Sequence, residues 1–180
     1  MGQLEDFKGQ LLAEDFNENV GFFTRLFEKD DVFRMRKLTV DWGNEYNCAL
    51  MFMDGMVNTE VLNLSVIQAL LQSKETPKKG DITEHIKEKV LFANEVSCTL
   101  DISEMLSAIF YGDTLLIASG SRKGLIINTK GWRTRGISEP GDERVLQGPR
   151  EGFDEALMMN VALIRRKLPT PDLRVELMKV

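Results

Sequence analysis

Six consecutive apolar residues, Cys48-Ala49-Leu50-Met51-Phe52-Met53, run directly into Asp54-Gly55. The run has the length of a strand. Side chains of a strand point alternately to opposite faces, so a strand apolar at every position must be covered on both. This one requirement points to a layered domain in which helices pack against a sheet.

The rest of the chain supplies the other elements. Asn17 is placed to cap a helix in which Val20, Phe23 and Phe27 recur at helical spacing. From Val32 to Val40, Phe33 and Met35 alternate in one phase and Leu38 and Val40 in the other, which predicts a bulge or bend near Arg36-Lys37. Residues 41–45 read as a turn. Asn58 caps a helix whose buried stripe is Leu62, Val66 and Leu70. A polar linker follows over 75–80. Asp81 with Glu84, and Asp101 with Glu104, have the spacing of capping boxes and each opens a helix. Gly112 is placed to end the second in the left-handed conformation. Residues 114–118 and 124–127 are short apolar strands joined by a hairpin loop over 119–123. The first 14 residues are weakly patterned and read as loosely attached. The expected fold class is α/β (mixed α+β): a small mixed sheet of about four strands, flanked by helices, with a C-terminal connecting helix. The expected division is a lobe over 1–147 and a helix and linker over 148–180.

Several function classes find little support. There is no nucleophile elbow, no Walker A loop and no Gly-x-Gly-x-x-Gly, so no catalytic residue or cofactor is assigned. The chain has one histidine and two well-separated cysteines, Cys48 and Cys98, which argues against a transition-metal site. Both cysteines lie in apolar contexts and read as reduced and buried. Asp54 ends a buried strand, where an α/β enzyme places a carboxylate. Nothing in the sequence pairs it with a base, a nucleophile or a metal, and an ordinary turn accounts for it. No apolar run approaches the roughly 18–20 residues that span a bilayer, and no signal peptide is evident. Work at a membrane therefore requires an anchor outside these residues.

The net charge of −5 is unevenly spread. Residues 1–120 hold 11 basic and 20 acidic side chains, a balance of −9. Arg122, Lys123, Lys130, Arg133 and Arg135 then fall within 121–136 with no acid among them. The acidic body and the single aromatic of that segment, Trp132, disfavour nucleic acid.

Residues 131–148 are rich in glycine and proline and read as a long irregular excursion, a feature usually functional or interfacial. A helix follows from Glu151, with Phe153, Leu157, Val161, Ile164 and Leu168 as its apolar stripe. Arg165, Arg166 and Lys167 sit in its last turn, where cations suit the helix dipole, and Pro169 and Pro171 stop it. Asn160 falls at the edge of the stripe and needs partners if buried. One reading ties Asn160 and Arg150 to the preceding loop; the other turns them toward a ligand or a neighbouring subunit. Residues 174–180 have strand-like composition.

Gly148-Pro149-Arg150-Glu151-Gly152-Phe153, followed by Asn160-x-Ala162-Leu163-Ile164-Arg165-Arg166, resembles the signature of the GerA family, the A subunits of spore germinant receptors. Three further stretches are similar to that family: Met53-Asp54-Gly55-Met56-Val57, Gly112-Asp113-Thr114-Leu115-Leu116-Ile117, and Gly131-Trp132-x-x-Arg135 with Glu139-Pro140. The similarity extends over about residues 30–178. The second lobe and the membrane helices of the full pattern are absent from this sequence.

The resemblance implies a non-enzymatic lobe on the cytosolic side of the inner spore membrane. It would act with receptor B and C subunits in sensing small germinants, amino acids or sugars, and in passing that signal on. Arg133, Arg135, Arg150, Glu151, Asn160, Arg165 and Arg166 are the candidate ligand or subunit contacts. The first rival reading is a small-molecule or anion-binding module built on the basic 122–150 region; the second is an enzyme using Asp54.

Overall fold

Among the described residues, β1 (Phe33–Asp41), β2 (Glu45–Met53), β3 (Val96–Thr99), β4 (Thr114–Ala118) and β5 (Gly124–Ile127) make one sheet, antiparallel at every pairing, in the order β1-β2-β4-β5-β3. The computed structural model describes residues 4–77, 80–131 and 157–178. The mixed α/β class is as the sequence predicts. The fifth strand, β3, is the one the sequence reading did not identify: it is four residues long, at an edge, and only partly buried. The hairpin β1–β2 and the hairpin β4–β5 join through the β2–β4 pairing, so no parallel pair arises.

Helices cover both faces. On one lie Phe16–Leu26, Ile102–Phe110 and Leu157–Lys167, burying Val20, Phe23, Met105, Ile109, Val161 and Ala162 against Ala49, Met51, Leu115 and Ile117. The other face carries the helices over 59–72 and 82–90, which bury Leu62, Val66, Leu70, Ile82 and Ile86 against Cys48, Leu50, Leu116 and Leu125. Each of these two helices contains a π-helical stretch, Leu62–Ile67 and Ile86–Val90. Strand β2 accordingly splits its apolar run between two cores, odd residues to one and even residues to the other.

This double cover explains the phase change in β1. The strand pairs with β2 in a single uninterrupted register from Phe33↔Met53 to Asp41↔Glu45, so it has no bulge. Phe33 and Met35 pack into the first core, and Leu38 and Val40 into the second. The switch in sequence records which face is covered at each end of an edge strand, not a break in the ladder.

Capping follows the expected chemistry with one exception. Asn58, Asp81 and Asp101 cap their helices, each side chain accepting from backbone N–H groups of the first turn. The first helix is capped by Asp15 instead of Asn17, its carboxylate accepting from Glu18 N at 2.8 Å. Asn19 faces inward there, bonding both the N–H and the carbonyl of Ala13. That contact belongs to a wider correction: residues 9–13 are tied down. Leu12 is buried, Ile102 N donates to the Gln10 carbonyl at 2.9 Å, and Asp101 Oδ2 accepts from Gly9 N at 3.0 Å.

Candidate functional site

The described parts of the sequence motifs, residues 53–57, 112–117, 131 and 160–166, converge at one end of the sheet. Strand β2 leaves the sheet there through Asp54-Gly55, and Gly55 adopts φ +78, a region open to glycine. Asp54 N donates to the Val32 carbonyl at 2.7 Å, and its carboxylate lies 3.2 Å from Arg34 Nη2. Beyond the turn, residues 56–58 run alongside 129–131. Gly131 N donates to the Met56 carbonyl at 3.0 Å and Asn58 N to the Thr129 carbonyl at 2.7 Å. The two backbones approach so closely that a Cβ on Gly131 would lie 2.2 Å from Asn58 N.

The third motif closes this end. Gly112, at φ +89, terminates the 102–110 helix as expected. Thr114 and Thr129 share a hydroxyl–hydroxyl hydrogen bond of 2.7 Å between β4 and the exit of β5. Lys130 Nζ sits 2.8 Å from Asp113 Oδ1 and 5.0 Å from the centre of the Tyr111 ring. Burial pushes the Asp113 carboxyl above its ordinary range, and the Lys130 ammonium opposes that rise.

The helix Leu157–Lys167 rests on this floor. Met158 meets Gly55: the Cβ that Gly55 lacks would lie 3.3 Å from the Met158 carbonyl oxygen. Val161, Ala162 and Arg165 are buried and Met158 packs against the same core. This is a face of i, i+3, i+4 and i+7 spacing. It differs from the expected stripe. Leu157 is 61% exposed and Leu168 54% exposed, and Ile164 is only half-buried. The helix is turned by about one position so that an arginine, not a leucine, faces inward.

That inversion is possible because Asp30 receives the charge. Arg165 Nη2 pairs with Asp30 Oδ2 in a site where both side chains are almost completely buried. The Phe110 ring centre lies 6.0 Å from the Arg165 guanidinium carbon. Burial lowers the Arg165 pKa and the Asp30 carboxylate opposes that shift. Asp30 Oδ1 accepts from Val32 N at 3.3 Å. Asp30 itself was invisible to motif reading. It is one acid in a turn, and its partner lies 135 positions away.

The sequence-predicted site residues divide into three groups. Arg133, Arg135, Arg150 and Glu151 lie outside the described residues, as do Phe153 and the Arg150 side of the expected Arg150–Asn160 network. Asn160 and Arg166 are half-buried on the helix, and both have interaction partners. Arg165 is in the core, on Asp30. The described cations of the basic segment also face acids: Arg122 lies 3.8 Å from Glu14, and Lys123 lies 3.2 Å from Asp81 and 3.1 Å from Glu84.

Away from this end, a cleft of about 380 Å³ is lined by Glu75, Asp81, Glu84, His85 and Glu88 among others. Three of these side chains, Asp81, Glu84 and His85, are engaged. Lys123 holds Asp81 and Glu84, and His85 Nε2 is 3.1 Å from the Glu75 carbonyl. Among the described residues, no three His, Cys, Asp or Glu side chains are grouped so that they could hold a metal ion. Among them, too, no helix is long and apolar enough to cross a membrane. Cys48 is buried and Cys98 half-buried, and neither is in a disulfide.

Comparison with known proteins agrees with the motifs. Residues 22–180 match the family model described as Bacillus/Clostridium GerA spore germination protein. The chain is 31% identical over 180 residues to the uncharacterized membrane protein YfkQ of Bacillus subtilis (strain 168), covering 99% of this chain and 34% of that protein. It is 30% identical over 145 residues to spore germination protein KA of the same organism, covering 81% of this chain and 26% of that protein. Thus the chain spans about a third or less of the length of these relatives. The fold resembles the crystal structure of the N-terminal domain of the A subunit of the Bacillus megaterium spore germinant receptor GerK3. The TM-score is 0.67 at 22% identity, covering 95% of this chain and 61% of that one.

Proposed function

This chain belongs to the Bacillus/Clostridium GerA spore germination protein family, and from that premise we propose that it is an N-terminal domain of a germinant-receptor A subunit. In this reading it takes part in germinant sensing, signal transduction and receptor assembly. Its partners are receptor B and C subunits, and its place is the cytosolic side of the inner spore membrane, held by membrane segments outside these residues. The signal originates with a small germinant, an amino acid or a sugar. The domain works as a conformational relay and not as a catalyst; the Asp54 carboxylate, at the end of β2, is paired with Arg34.

The observation that carries this reading is the docking of the 157–167 helix on the Asp54-Gly55 turn. It joins the family-like motif of the first half of the chain to that of the second through backbone-close contact. A relay needs such a rigid joint between the body of the domain and the segment leading out of it. Of the cations on which the anion-binding alternative draws, the described Arg122, Lys123 and Lys130 each face a carboxylate, while Arg133, Arg135 and Arg150 lie outside the described residues.

The test is made in the spore-former that carries the full-length protein. Spores lacking it are expected to lose germination in response to at least one amino acid or sugar, and to regain it on complementation. Unchanged responses to a full panel of amino acids and sugars would overturn the proposal.

A further inference from the structure

Two adjacent acids, Asp30 and Asp31, sit in the turn between the first helix and β1, and they hold two successive parts of the C-terminal segment. Asp30 pairs with Arg165 in the interior. Asp31 is exposed and grips the extended tail beyond Pro171 at two points. Its backbone N–H donates to the Val175 carbonyl at 2.8 Å, and its Oδ2 accepts from Leu177 N at 2.7 Å. The turn is itself braced. Arg34 Nη1 donates to the Asp31 carbonyl at 2.6 Å while Arg34 Nη2 lies 3.2 Å from Asp54. Asp54 precedes Gly55, against which Met158 packs.

We propose that Asp30-Asp31 is a clasp: the 157–167 helix and the tail through residue 177 are fastened to this turn and come away together when it opens, while the sheet stays folded. The sheet does not need the 157–177 segment for its ladder, because among the described residues every strand pairing is made within residues 33–127. The helix adds few deeply buried apolar side chains to the core, chiefly Val161 and Ala162. Its most deeply buried side chain is Arg165, whose Nε and Nη1 have no acceptor among the described residues. The attachment combines one desolvated ion pair and the Asp31 hydrogen bonds with the packing of Met158, Val161, Ala162 and Val175 on the first core, and loss of one partner of the buried pair leaves an uncompensated charge that favours opening of the segment as a unit. That such opening carries the signal outward rests on the relay reading above; that the segment opens as a unit does not.

Hydrogen exchange on the 180-residue chain, read by mass spectrometry, tests the clasp without any germination assay. Asp30→Asn leaves Arg165 facing a neutral amide, and Asp31→Ala removes only the exposed carboxylate that holds Leu177. In both variants, peptides covering 157–177 are expected to exchange at least tenfold faster than in the parent chain. Peptides covering 46–53 and 114–118 are expected to keep their protection. Equal acceleration in the sheet peptides of Asp31→Ala, or unchanged exchange over 157–177 in that variant, overturns the proposal. Asp31→Ala decides the matter if Asp30→Asn does not fold. Spore responses of the full-length protein carrying Asp31→Ala then report separately on the relay.

Discussion

Gly55 and Met158 are in backbone-close contact, with the missing Cβ of Gly55 3.3 Å from both the Cε and the carbonyl oxygen of Met158. Gly55 also sits at φ +78. A side chain there meets two penalties, a left-handed backbone and a helix that must move away. The left-handed conformation alone costs a non-glycine residue about 1–2 kcal/mol. Gly120 is a natural control, at φ +84 with nothing within 4 Å of its missing Cβ. Gly55→Ala is therefore expected to lower Tm more than Gly120→Ala. Equal losses in thermal scans of the two variants would show that the helix does not press on the turn.

Gly131→Ala is expected to be the more damaging glycine substitution. Its Cβ would fall 2.2 Å from Asn58 N and 2.4 Å from Asn58 Cα, and backbone cannot rotate out of the way as a side chain does. Relief requires parting residues 129–131 from 56–58, at the expense of the Gly131–Met56 and Asn58–Thr129 hydrogen bonds. Overpacking typically costs about 1–3 kcal/mol, and two strained or broken hydrogen bonds add to that. Urea denaturation should show a larger loss than for Gly55→Ala.

Removing one member of the Asp30–Arg165 pair leaves the other charged and buried. Breaking such pairs typically costs about 3–5 kcal/mol, whereas replacing both members by apolar residues of similar volume is often neutral. Arg165→Met and Asp30→Leu should each be strongly destabilising, and the double variant should recover most of the loss. Additive losses in this double-mutant cycle would mean that the pair is not coupled.

Acid should loosen the attachment of the 82–90 helix at Asp81. Burial raises the Asp81 carboxyl, but hydrogen bonds from the Thr83 side chain and backbone, Ser121 and Lys123 outweigh it and hold the pKa at about 2. A carboxyl held below its unfolded value stabilises the fold above that value, and the contribution is lost as pH falls through the folded one. The loss should thus occupy the interval from about pH 4 down to about pH 2. Asp81→Asn should flatten the fall in stability across it. A variant as acid-sensitive as the parent in pH-dependent urea titrations would assign the effect elsewhere.

The thiols should be separable by alkylation. Burial pushes the Cys48 thiol up to about 12, and Cys98, half-buried, is raised as well. The thiolate is the reactive form and access limits it further. At pH 8, iodoacetamide should label Cys98 first and Cys48 only on unfolding, as read by peptide mass analysis.

What the sequence determined by itself was local. The apolar run of β2, the capping side chains Asn58, Asp81 and Asp101, and Gly112 after its helix each act within a few residues, so their outcome is legible in one dimension. The family-like motifs were legible too, as was the mixed α/β class. The tertiary structure was needed to say which faces β1 and the 157–167 helix bury. The phase change in β1 reads as a bulge until two cores are seen to cover its opposite ends. The 157–167 helix reads as a leucine-type stripe until Asp30 is found beside Arg165. Hydrophobic periodicity ranks side chains one at a time, and by that ranking an arginine always faces water. A buried arginine is admissible only as half of a pair, and the other half lies 135 residues earlier in the chain, brought there by the fold alone.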